Sequence, residues 1–239
     1  MTPSACRGIP LSILAAGLLF VGAVTRPVMA ADAPVVAAAG IPLNTPWKVK
    51  IYELAHDGFR HPAWGWQHSV RDYLMALRLA KDDHLNIDRD ALFAAAFLHD
   101  MAAFRPCARK MEHGDCAALQ SPALLKSVGF PPEKIAIVQQ AERGHMYYDD
   151  PGKDPTAIVL HDADSLDFLG DIGAARILSL TGAKAPSFAP AVKTLRGFLK
   201  SIPPRLITRA ALRIGRQRAA ELERFLDGLQ RETYGGRAM

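Results

Sequence analysis

In the stretch Leu92 to Phe104, LFAAAFLHDMAAF, a histidine and an aspartate stand side by side near the end of an otherwise apolar run. Leu92, Ala95, Ala96 and His99 follow helical spacing, so the imidazole of His99 points where the leucine points. Asp100, one step round, is hemmed in by Phe97, Met101, Ala103 and Phe104. A second inward carboxylate is expected in HDADSLDFLGDIGAAR, where Asp162, Leu166, Leu169 and Gly173 share one stripe. Asp164, Asp167 and Asp171 fall on a different stripe, read as solvated or capping. An ionised carboxylate buried without a partner is so costly that it would protonate instead. Arginine would satisfy one carboxylate but not the imidazole beside it, whereas a divalent cation takes anionic oxygens and neutral imidazole nitrogens together. Spacing leaves two readings open: a metal site, or a satisfied core histidine with capping aspartates.

The elements that must position these groups are helices. From Trp47 onward nearly every strong pattern has helical period, with no alternation long enough for a sheet and no internal repeat, so the expected class is all-α. His68 to Lys81 is apolar on most sides and reads as a buried helix. Asp88 is placed to cap the helix that carries His99, and Pro106 ends whatever follows. For neighbouring His99 and Asp100 to face one ion, that helix must bend or end between them. Pro131, Pro132 and Glu133 suit the first turn of a helix through Ile135, Val138, Ala141 and His145. A further helix is expected from about Ala157 to Leu180, and a last one within Arg205 to Arg231, with Ile207, Ala211, Ile214, Leu222, Phe225 and Leu229 on its apolar stripe.

Taken in chain order, HSVRDYLMALRLA, AAAFLHDMAAF, LLKSVGFPPEKIAIVQQAERGH and VLHDADSLDFLGDIGAAR resemble the HD superfamily of metal-dependent phosphohydrolases. The resemblance runs from about Trp47 to Gly235 and implies a single multi-helix bundle with a metal site in its core. A lone HD dipeptide carries nothing, and His56-Asp57 is left out on that ground. Position by position, the resemblance implies that His68, His99, Asp100 and Asp162 hold a divalent ion, with Mn, Fe, Co, Ni, Zn and Mg all compatible with that donor set. Some members place further histidines between the doublet and the last aspartate. His113 and His145 are the candidates here, for substrate, proton transfer or a second ion.

The implied reaction is hydrolysis of a small phosphorylated substrate, a phosphomonoester or phosphodiester, by water activated at the metal, with Asp100 orienting the water. His145 or His113 would protonate the leaving oxygen. Arg71, at i+3 from His68, is the candidate phosphate partner. Two other outcomes stay open: an HD-type hydratase acting on a small nitrile, favoured by an apolar pocket without a basic residue, and a metal- or ligand-binding module without turnover. Trp64 and Trp66 in HPAWGWQH read as core or pocket wall, and His161 leaves the Asp162 stripe.

The 239 residues, 49% hydrophobic and 22% charged, fit one ordinary globular domain rather than a disordered or fibrous chain. Residues 1–30 read as a signal peptide, with Arg7, the apolar run Leu11 to Val24, and small residues at Val28-Met29-Ala30. Residues 31–46 read as a flexible lead-in, and 47–235 as the hydrolase domain. Export to the periplasm is expected, with no membrane span after cleavage. Of three cysteines, Cys6 would leave with the signal, and Cys107 and Cys116 remain as a pair suited to a disulfide. The net charge of +5 gathers in the C-terminal arginines, which lie on the solvated face of an amphipathic helix, so no stable nucleic-acid complex is expected.

Overall fold

Helix formation here follows from caps and apolar faces that the chain supplies locally. The computed structural model describes residues 37–182, 185 and 187–239, and contains no strand among them. The expected signal segment therefore lies outside the described residues, as does most of the lead-in. What is described of the lead-in is not free: Ala37, Ile41 and Leu43 are buried against the core.

Among the described residues there are ten α-helices: α1 (Pro46–Gly58), α2 (Trp66–Asp82), α3 (Arg89–Leu98), α4 (Met101–Phe104), α5 (His113–Val128), α6 (Ile135–Arg143), α7 (Pro155–Asp167), α8 (Gly170–Leu178), α9 (Ala189–Ser201) and α10 (Arg209–Glu232). The Asp88 side chain accepts hydrogen bonds from the amides of Asp90 and Ala91 at the start of α3, as its position predicts. Every residue of α3 from Ala91 to Leu98 is buried, which is why its sequence is apolar all round. Thr45, Asp154 and Thr208 cap α1, α7 and α10 in the same way.

The helix expected from Ala157 to Leu180 is two helices. It breaks at Phe168 and Leu169, and Gly170, with φ +70°, opens α8 in a conformation that only glycine adopts without strain. In α10 the apolar stripe runs through Ala211, Ile214, Leu222 and Leu226; Phe225 is partly exposed, and Ile207 precedes the helix and is exposed.

At the centre, α7 packs against α2, α3, α6 and α10, and α3 also packs against α1, α2 and α6. With neighbours on so many sides, α7 has almost no solvated face: from Thr156 to Asp167 only Ile158 is not buried. Its aspartates are therefore inside whichever stripe they occupy.

Candidate metal centre

Donor atoms of four residues from two central helices and the end of a third converge: His68 and Asp72 from α2, His99 just past α3, and Asp164 from α7, all within 4.8 Å of one another. His68 Nε2 lies 3.0 Å from Asp72 Oδ2, 3.2 Å from Asp164 Oδ1 and 3.3 Å from His99 Nε2. All four residues are buried.

The tautomers follow from the partners. His68 Nδ1 donates to Asp167 Oδ2 at 2.8 Å, and His99 Nδ1 donates to the Ala96 carbonyl at 3.0 Å. In the neutral rings, both Nε2 lone pairs then face the centre, and the outer hydrogen bonds fix the ring planes. Helix α3 ends at Leu98, and Asp100 (φ −92°, ψ 9°) leaves helical geometry, which lets adjacent residues converge. Asp100 Oδ2 lies 3.4 Å from His99 Nε2 and 3.6 Å from His68 Nε2.

The opposite oxygen of Asp100 faces another imidazole pair. Its Oδ1 lies 3.7 Å from His113 Nε2, on the first turn of α5, and 3.9 Å from His145 Nε2, just past α6. His145 Nδ1 donates to the Glu142 carbonyl at 2.6 Å. Burial, reinforced by nearby His99, pushes the His145 pKa down to about 4, so the ring is neutral near pH 7 and its Nε2 accepts. His113 Nε2, 2.9 Å away, must then carry the hydrogen that bridges the two rings. The first turn of α5 is tied to the preceding loop by a disulfide between Cys107 and Cys116.

Electrostatics tests whether these residues suit a cation. Burial opposes charge on His68, yet Asp72 and the hydrogen-bonded Asp164 and Asp167 outweigh it and hold its pKa up to about 10. Burial pushes Asp72 up to about 7 although His68 pulls it down. Asp100 stays far below the usual carboxylate range because His99, His68 and His145 outweigh its burial. Neither oxygen of Asp72, nor Asp164 Oδ2, accepts a hydrogen bond. Buried carboxylate oxygens without donors, two imidazole nitrogens aimed at the same point, and four carboxylates against two guanidinium groups make a donor set that fits a divalent cation, which would take the place of the proton on His68.

Two arginines complete the shell. Arg71 Nε and Nη2 clamp Asp167 at 2.9 and 2.8 Å. Arg176, on α8, donates from Nε to the Ala63 carbonyl, pairs through Nη1 with Asp167 Oδ2 at 3.0 Å, and lies over the Phe168 ring at 4.3 Å. A pocket of about 360 Å³ opens onto Asp100, His113, Asp164 and Arg176.

His68, His99, Asp100, His113 and His145 are thus brought together, and Asp162 is not. The Asp162 carboxylate accepts hydrogen bonds from the amides of Ile207 and Thr208 at 2.9 and 2.7 Å, joining α7 to the start of α10. Asp164 stands where Asp162 was expected. Periodicity separates the two stripes of α7 but cannot say which faces the centre when both are buried. Asp167, read as solvated or capping, is the outer partner of His68. Arg71 is bound to Asp167 and lies outside the pocket, whose lining arginine is Arg176. Asp72 joins the cluster as a further donor, and its signal in the sequence is its place at i+4 from His68 on one helical face. Arg176 left no such sign, because the break at Gly170 erases the helical phase between it and Asp164.

Residues 65–169 match the HD domain profile. Among curated proteins none matches the chain. Solved structures share the fold. YpgQ of Bacillus subtilis, determined in complex with ADP, is 18% identical, with a TM-score of 0.60 over 77% of this chain and 97% of that one. A predicted HD-superfamily hydrolase from an uncultured Thermotogales bacterium is 23% identical, with a TM-score of 0.58 over 78% and 93%. An HD-superfamily hydrolase of Bacillus thuringiensis is 22% identical, with a TM-score of 0.57 over 78% and 94%. The matched segment spans the histidine of α2, the His99-Asp100 doublet and the aspartates of α7, and it is this part of the chain that is similar to the HD domain.

Proposed function

We propose that this chain is a metal-dependent phosphohydrolase. The observation that carries the reading is the buried cluster of His68, Asp72, His99, Asp100 and Asp164, with three carboxylate oxygens that accept no hydrogen bond. These residues would hold a divalent ion of the Mn, Fe, Co, Ni, Zn or Mg class. A divalent ion in such a site lowers the pKa of a water and polarises a phosphoryl oxygen.

The residues around it divide the remaining work. Asp100 holds the His68–His99 pair through one oxygen and faces His113 and His145 through the other, so it orients the attacking water between the two halves. Arg176 faces the pocket and offers positive charge to phosphoryl oxygens. The proton on His113 Nε2, held against His145 Nε2, is placed to pass to the leaving oxygen. Overall, water forms a bond to phosphorus, the ester P–O bond breaks, and one water proton ends on the released alcohol.

Arg176 on the pocket wall speaks against a nitrile hydratase, for which a pocket without a basic residue was the favouring sign. We also infer export to the periplasm, supported by the apolar run Leu11 to Val24 and by the Cys107–Cys116 disulfide, which suits an oxidising compartment. Elemental analysis of wild type beside His99→Ala, Asp100→Ala tests the centre, followed by 4-nitrophenyl phosphate assays with added Mn²⁺. Bound metal and hydrolysis in the wild type, both absent from the double variant, are expected. A metal-loaded wild type that cleaves no phosphoester would sink the reading.

A further inference from the structure

The pocket above the cluster has two chemically different ends. Its base is polar, with Asp100, His113, Asp164 and Arg176, while its walls are Trp64, Met146, Phe168, Ile177, Leu180 and Phe198. Those walls are braced. Trp64 is stacked on His61 with ring centroids 3.7 Å apart and planes 15° apart, and Phe168 packs against both Phe198 at 5.0 Å and the Arg176 guanidinium. Leu180 is 44% exposed at the rim, so apolar surface there faces water until something covers it.

Charge limits how much phosphate this pocket can serve. Among the described residues that line it, Arg176 is the one arginine, no lysine lines it, and the Arg176 guanidinium already meets Asp167 and the Ala63 carbonyl. One phosphate can be met at the base by the metal cluster and Arg176; a second or third would extend along apolar walls with no partner, which is costly for an anion. At about 360 Å³ the cavity is also near the small end of the range for ligand pockets, roughly 300–1,000 Å³.

Building on the phosphohydrolase reading, we propose that the pocket selects a phosphomonoester whose alcohol or phenol portion is compact, apolar and planar, and disfavours di- and triphosphates. The single phosphate sits at the base, and the leaving group lies between the rigid walls of Trp64 and Phe198. Water supplies the new P–O bond, the bond from phosphorus to the aryl oxygen breaks, and the phenol takes the proton.

The test uses the full chain loaded with Mn²⁺ and compares 1-naphthyl phosphate, glycerol 2-phosphate and ADP by kcat/KM. In parallel, calorimetric binding of 1-naphthylphosphonate and methylphosphonate, which cannot be hydrolysed, gives a readout independent of turnover. We expect naphthyl compounds to lead by about tenfold or more in both series, the order of one good aromatic contact. Phe198→Ala and the rim variant Leu180→Gln should each narrow that lead, and the second changes a side chain that is already 44% exposed. Hydrolysis of glycerol 2-phosphate or ADP as fast as of 1-naphthyl phosphate overturns the proposal and leaves the hydrolase reading standing. No hydrolysis of any of the three by the metal-loaded chain overturns both.

Discussion

Asp162 and Asp164 are two residues apart on one buried helix and have different work. Asp164 aims an oxygen at His68, while Asp162 holds two amides at the start of α10. Asp164→Ala should therefore lose bound metal in elemental analysis with the fold intact by circular dichroism. Asp162→Ala should keep its metal and lose about 1–3 kcal/mol in denaturant unfolding, because buried amides are left without acceptors. Equal metal loss in both would remove the distinction. Glu142 gives a separate test through pH. It is fully buried, its Oε2 accepts from the Ser121 hydroxyl at 2.6 Å, and burial pushes its pKa from 4.5 up to about 8. The folded state thus keeps a proton that the unfolded chain releases, so this residue's contribution to stability is present below pH 4.5 and falls as pH rises toward 8. Glu142→Gln should remove that fall, and the gap between variant and wild type should widen by at most about 1.4 kcal/mol per pH unit across the window. A gap that does not change with pH would show that Glu142 is ionised in the fold.

Among the elements, the ends of helices do most of the positioning. His99 and Asp100 follow the end of α3, His113 begins α5, and His145 follows α6. That much was legible in the sequence, because an apolar run closing on His-Asp before a proline must end there, and Asp88 marks where the helix begins. The choice between Asp162 and Asp164 was not legible, because it depends on what packs around α7 on every side. The partner of Arg71 was illegible for a related reason: i+3 spacing puts it near His68, but only the fold brings Asp167 within its reach. Helix α5 also shows how tightly an end can be placed. A Cβ on Gly114 would meet the Glu142 carbonyl oxygen at 2.6 Å, so α5 begins directly against α6. Gly114→Ala should push the first turn outward, cost about 1–3 kcal/mol by overpacking, and lower kcat through displacement of His113 while the metal stays bound. Retention of full kcat would detach His113 from the reaction.

For the whole molecule, the disulfide closes a short loop beside the site, with its cysteines nine residues apart. Reducing it should cost about 2–3 kcal/mol on the chain-entropy account. For a chain of this size that lowers the thermal midpoint by roughly 5–10 °C. Scanning calorimetry with and without reductant measures it, and an unchanged midpoint would mean that the bond adds nothing to the fold. The clip between Asp162 and the start of α10 bears on the order in which the protein matures. The amides it holds lie 45 and 46 residues further along the chain, and Arg218 of α10 also reaches back to the Leu166 carbonyl at 2.7 Å. A chain folded only as far as the helix bearing Asp164 still lacks the segment that locks that helix in place. Full affinity for an ion at this centre would therefore come only once the last helix has docked.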